Sequence, residues 1–312
     1  MHQNEVSAGS KLFGLIALVF ISLIASTILS LLLLIPFFGL DVLLDGASLN
    51  NLENPETLSA LKFIQFFNAV GIFIIPPIAF FIVYKMDWKV FLNFQLPEKK
   101  VHLLMAIAIV FAISPLINAM VYFNEAIQLP DFLHGLESWM KETESQAATI
   151  TEAFVKYDSI WVLAVNLLIM AVIPGIGEEL LFRGLVQPLF NKITGNIHAA
   201  IWITAFLFSA LHLQFYGLIP RMFLGAIFGY MYFFSGSIFV PMLGHFINNL
   251  VAIIGYILLN KGLVSEDPNK IGISENDYWM TLVSCALAAF IFYYSFKLRK
   301  MPNQEFSSSN QI

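Results

Sequence analysis

Charged residues along this chain are confined to short intervals between long apolar ones. Stretches free of Asp, Glu, Lys and Arg run from Leu12 to Leu40, Leu103 to Asn124, Ser159 to Gly177, Ile193 to Pro220, Met222 to Asn260 and Tyr278 to Phe296, and another follows Lys62 through 84. A helix needs about 20 such residues to cross a bilayer. Dividing the longest stretch at its Ser235-Gly236-Ser237 turn signal gives eight helices, at 12–38, 61–84, 103–123, 159–193, 197–215, 218–234, 238–259 and 278–297. Backbone groups must pair within each spanning segment when lipid surrounds them, so the expected class is all-α. The pattern predicts a polytopic membrane protein of about eight transmembrane helices.

Composition strengthens that picture. Of 312 residues, 58% are hydrophobic and 12% charged, with a mean hydropathy of +0.78, against about 25% charged in soluble domains. The first apolar run is too long for a cleaved signal peptide and its flank, with Lys11 the only base, is weak. Lys85, Lys89, Lys99 and Lys100 lie in the second connection, Arg183 and Lys192 near the fourth, and Lys297, Arg299 and Lys300 after the last helix. Basic residues accumulate on the cytoplasmic side, so these alternate connections place both termini in the cytoplasm, in a multi-pass protein of the cell (inner, cytoplasmic) membrane. A net charge of −5 with no basic run gives no reason to expect nucleic acid. Cys285 is the only cysteine, which excludes an intramolecular disulfide and a thiolate metal site. The chain divides into residues 1–158, with three helices and their loops; 159–255, the chemically distinctive core; and 256–312, with the last loop, the last helix and a polar tail, of which Pro302 to Ile312 reads as disordered.

Because charge is scarce, its placement inside the spans carries information. Four clusters stand out: Glu178-Glu179 with Arg183, His212 in FSALH, His245 with Asn249 in HFINN, and Arg221 after Pro220. Residues four apart share a helix face and neighbours diverge by about 100°. Glu179 and Arg183 can therefore pair, while Glu178 points elsewhere. His245 and Asn249 share one face of the seventh helix. The fourth and fifth helices form a hairpin turning at Thr194-Gly195-Asn196, with Glu178 and His212 each 17 residues from Gly195, which sets both about 25 Å from the turn. That equality requires a long hairpin. Arg221 reads as an interfacial anchor, and Gly225 with Gly229 as a GxxxG for close helix packing. Pro174-Gly175-Ile176-Gly177 breaks or kinks the fourth helix just before the glutamates, loosening the backbone where water is to enter. His2, His102, His134 and His198 receive no role.

A carboxylate, two histidines and an amide in a sheltered cavity are the parts of a water-activating hydrolase. Glu178 is the candidate general base, His212 helps hold and deprotonate the water, and His245 and Asn249 can stabilise the oxyanion of a tetrahedral intermediate. No serine or cysteine is placed to act as a nucleophile. Two histidines and a glutamate also make a familiar zinc set, but HExxH is absent and Asn249 is a poor zinc ligand; no cofactor is expected, with zinc the alternative. A non-enzymatic scaffold or bacteriocin-immunity protein that keeps the cluster for stability, and a transporter that uses it as an ion relay, are the readings from other classes. No inverted repeat supports the transporter.

EELLFR, FSALH and HFINN resemble, in order and spacing, the EExxxR, FxxxH and HxxxN motifs of the CPBP family of intramembrane proteases, also called the CAAX protease and bacteriocin-processing or Abi family. The resemblance covers roughly residues 159 to 255. It implies a metal-independent glutamic endopeptidase on an eight-helix bundle, acting on a membrane-associated peptide or protein. On matching positions it makes Glu178 the catalytic base, His212 its partner in activating water, His245 and Asn249 the oxyanion hole, and Glu179 and Arg183 supporting residues. Eukaryotic members of the family remove the last three residues of prenylated carboxyl termini; the compact loops here read as bacterial, which argues against a prenylated substrate. Neither the substrate nor the oligomeric state follows from the sequence.

Overall fold

The computed structural model describes residues 6–40, 51–157, 159–265 and 267–299. The polar tail, and parts of the acidic loops containing Asp41, Asp45, Asp158 and Glu266, lie outside those residues. Among the described residues the chain is all helical: α1 Ala8–Phe38, α2 Pro55–Val83, α3 Val101–Glu125, α4 His134–Val155, α5 Ile160–Thr194, α6 Ile197–Ala210, α7 Leu218–Ser235, α8 Phe239–Asn260 and α9 Tyr278–Leu298. Seven of these are long and apolar enough to cross a membrane. The two exceptions depart from the sequence expectation. α6 stops after 14 residues, leaving 211–217 as a loop where a continuing helix was expected. α4 occupies the acidic connection read as a loop: it is an amphipathic helix whose Lys141, Glu142 and Glu152 are exposed while Glu144 is half-buried.

Local signals set the helix ends. Asn54, Ser159 and Asn196 cap α2, α5 and α6 with side-chain oxygens that accept amide protons of the first turn. Gly195 adopts a left-handed conformation (φ 66°) and donates its N–H to the Asn191 carbonyl, ending α5 and turning the chain straight into α6. The α5–α6 hairpin therefore turns where the sequence signals it, but its second arm ends at Ala210, two residues before His212.

The interior follows membrane logic. α1 turns Phe13, Phe20, Ile21 and Ile24 outward and buries Ser22, Ser26 and Ser30, because lipid solvates apolar side chains as well as a protein core does. Ser22 donates to the Gly71 carbonyl at 2.5 Å and Thr27 to Asn68 at 2.9 Å, tying α1 to α2. In α3, Pro115 removes a backbone donor and opens the helix. Ser284 of α9 bridges the next rung, accepting from Leu116 N–H at 3.3 Å and donating to the Ala112 carbonyl at 2.5 Å, so a neighbouring helix serves backbone groups beside the proline.

α5 holds the structure's centre, packed against α2, α6 and α8. Gly175 is the closest point of its approach to α8: a Cβ there would stand 3.0 Å from both Cα and N of Phe246. The Gly175→Ala variant should therefore push α5 and α8 apart and lower the stability of the detergent-solubilised protein by about 1–3 kcal/mol. A thermal melt indistinguishable from wild type would show that the contact is slack.

Candidate functional site

α5 does not run as a uniform α-helix. Two π-helical turns, Leu168–Val172 and Phe182–Val186, bracket the α-helical segment Ile173–Leu181 that carries both glutamates. Such turns widen the helix by one residue and re-aim its side chains. The first directly precedes Pro174, whose missing N–H makes a regular ladder impossible there. The loosened backbone expected before the glutamates takes this form, within a continuous helix.

Glu179 and Arg183 are fully buried, and Arg183 Nη1 donates to Glu179 Oε1 at 2.8 Å. The guanidinium is used further. Nη2 donates to the Gly225 carbonyl of α7 at 2.7 Å, and the group lies over the Phe208 and Phe228 rings, 5.0 and 5.6 Å from their centroids. Gln187, one turn on, donates to the Gly229 carbonyl at 3.3 Å. The GxxxG of α7 thus does pack closely: a Cβ on Gly225 would meet Phe208 and Ala205, and one on Gly229 would meet Gln187 and Ile201. It also presents two carbonyls to side chains of α5.

His245 adds a contact that helix periodicity does not reveal. Its Nδ1 lies 2.8 Å from the same Glu179 Oε1 that holds Arg183, and its Nε2 lies 3.8 Å from Glu178 Oε2. The ring stacks on Phe228 at 5.1 Å and 21°. With a proton on Nδ1 directed at Glu179, Nε2 is the nitrogen that faces Glu178. Glu178 is 6% exposed, and its Oε2 is buried with no hydrogen-bond partner.

The remaining candidates gather less tightly. His212, in the loop after α6, is exposed and its Nδ1 lies 2.8 Å from the Phe208 carbonyl. The Phe208 ring touches both histidines, 5.1 Å from His212 and 5.8 Å from His245, so one phenyl ring links the two. Asn249, half-buried on α8, accepts a hydrogen bond from Asn248 Nδ2 at 3.2 Å. Among the described residues no group of three His, Cys, Asp or Glu side chains is arranged to hold a metal ion.

Arg221 departs from its sequence reading as an interfacial anchor. It is half-buried on the first turn of α7 and Nη2 donates to Gln214 Oε1 at 2.7 Å. It lies within electrostatic reach of Glu178 and of Glu144 on α4. Desolvation pushes the Glu144 carboxyl above its ordinary range, against the opposing pull of the Tyr216 amide and of Arg221. Glu144 Oε2 accepts from that amide at 3.4 Å, and Trp139 packs on Phe215 at 5.1 Å, so α4 lies against the loop that carries His212.

Residues 154–251 match the family model described as type II CAAX prenyl endopeptidase Rce1-like. All three motifs fall inside this matched segment. The uncharacterized protein YpbD of Bacillus subtilis (strain 168) is 29% identical over 90 residues, which cover 28% of this chain and 43% of YpbD. The chain thus spans less than half the length of this curated relative. No solved structure matches.

Removing one partner of a buried ion pair leaves an uncompensated charge in a low-dielectric interior, at a cost of about 3–5 kcal/mol. Arg183→Met should accordingly lower the unfolding midpoint in detergent far more than Lys141→Met, which breaks the exposed Lys141–Glu137 pair on α4. Equal, small shifts in the two variants would show that the Arg183–Glu179 pair is not what anchors α5 to α7.

Proposed function

We propose that this chain is an intramembrane endopeptidase of the glutamic type, hydrolysing a peptide bond in a membrane-associated peptide or protein. The observation that carries the reading is the division of labour between adjacent carboxylates. Glu179 Oε1 is engaged twice, by Arg183 and by His245, while Glu178 Oε2, beside His245 Nε2, has no hydrogen-bond partner. Glu179 Oε2 is likewise unpartnered, so the contrast lies in the two bonds that fix Glu179 Oε1. The match of residues 154–251 to the Rce1-like family model supports the same reaction class.

In this mechanism Glu178 accepts a proton from a water as the water oxygen bonds to the scissile carbonyl carbon. The carbonyl π electrons move onto oxygen, and the tetrahedral oxyanion meets the Asn249 amide and the His245 ring as an imidazolium, which keeps its Nδ1 proton directed at Glu179 and carries a second proton on Nε2. Collapse re-forms the carbonyl and breaks the C–N bond. The proton held by Glu178 passes to the leaving nitrogen, giving one carboxylic acid and one amine. His212 serves as the second residue that positions the water. Glu179 fixes the His245 ring by holding Nδ1, and Arg183 fixes Glu179; both are positioning residues. The basic connections support an orientation with both termini in the cytoplasm, in the cell membrane.

The test is hydrolysis of a peptide library by the protein reconstituted in liposomes containing EDTA. Wild type should cleave with EDTA present, and Glu178→Gln should lower the rate by at least about a hundredfold. Full activity in Glu178→Gln would sink the general-base assignment. Activity lost to EDTA and restored by zinc would move the chemistry to a metal.

A further inference from the structure

The mechanism leaves one charged side chain near Glu178 without a task. Arg221 sits on the first turn of α7 with its guanidinium folded back over Gly217, where a Cβ would stand 2.8 Å from Nη2 and 3.1 Å from Nη1; only glycine leaves that space. Gln214 Oε1 fixes Nη2 at 2.7 Å. Nη1 is buried and has no hydrogen-bond partner. Glu144 and Glu178 approach from α4 and α5 within electrostatic reach, yet among the described residues neither forms an ion pair with it. His212 shares the same electrostatic neighbourhood. An arginine retained only to hold the fold would be expected to close on one of those carboxylates. This one is instead clamped at one nitrogen by a neutral amide and left with an unused buried donor within electrostatic reach of the proposed base.

We propose that Arg221, held by Gln214, is a carboxylate-binding subsite that takes an anionic group of the substrate, either its C-terminal carboxylate or an acidic side chain near the scissile bond. A guanidinium presents a planar fork of donors that matches a carboxylate in two parallel hydrogen bonds. Glu144 marks the entry. It is the protein's own carboxylate on that side, held off by its bond to the Tyr216 amide, and a substrate carboxylate reaches Nη1 as the contact between α4 and loop 211–217 parts. Asn124 secures the other side of the loop, donating to the Phe215 carbonyl at 3.1 Å and to that of Tyr216. The subsite rests on the proteolytic reading of the same cavity and adds a substrate preference to it.

The experiment measures binding of fluorescent peptides to the Glu178→Gln protein in nanodiscs. One apolar sequence is presented as a free C-terminal acid, as a C-terminal amide, and as an amide with a single internal Glu. The acid or the Glu peptide should bind on the order of tenfold tighter than the neutral amide, and whichever does so identifies the source of the carboxylate. Arg221→Gln should erase the difference and Arg221→Lys keep part of it, both with the wild-type melting profile as evidence of folding. Equal binding of all three peptides, or a preference that survives Arg221→Gln, overturns the subsite; cleavage of neutral amides by the wild-type protein then leaves the protease reading standing. No binding of any peptide, with no cleavage by wild type, overturns both.

Discussion

One carboxylate oxygen organises the core of this protein. Glu179 Oε1 accepts from Arg183 on its own helix and lies 2.8 Å from His245 Nδ1 on α8, while the other end of Arg183 reaches the Gly225 carbonyl on α7. Three helices are thereby joined at one buried point. An ionised group at this depth is tolerated only when it is paired, and the arginine is in turn covered by the rings of Phe208 and Phe228. Everything proposed for Glu178 depends on this arrangement, because it ties up the adjacent carboxylate and turns His245 Nε2 toward Glu178.

The surrounding bundle is built to let helices come that close. Gly175 meets the Phe246 backbone, and Gly225 and Gly229 bring α7 against α6 and the side chains of α5. Polar side chains do the joining elsewhere: Ser22 and Thr27 of α1 on α2, and Ser284 beside Pro115 of α3. The two π-helical turns of α5 spend regular backbone geometry to aim the glutamates inward. Loop 211–217, with Leu213 in a left-handed conformation (φ 53°), carries His212 and Gln214 and is tied by Asn124 and Glu144.

Much of this was legible in the residues. Apolar stretches of spanning length located the membrane helices, and the i, i+4 rule paired Glu179 with Arg183. Gly195 between two apolar segments marked the hairpin that brings His212 to the neighbourhood of His245. Contacts between helices were not legible, because periodicity along one helix says nothing about its rotation against another. The bond from Glu179 to His245 therefore could not be read, and neither could the role of Gln187 beside Gly229. Arg221, next to Pro220 at the edge of an apolar run, looked like an anchor; only the early end of α6 frees the loop whose Gln214 meets it. α4 was hidden by its acidic face, which reads as a loop when charge alone is counted. The Pro174-Gly175 signal did announce an irregular α5, without specifying π-helical turns.

The account stands most directly on the protonation of one ring. With His245 as the ¹⁵N-labelled histidine observed in solid-state NMR of the membrane-reconstituted protein, Nδ1 should carry a strongly hydrogen-bonded proton in wild type. That signature should vanish in Glu179→Gln and persist in Glu178→Gln. A ring protonated on Nε2 with a bare Nδ1 in wild type would contradict the account, since Glu179 would then not be holding His245 toward Glu178.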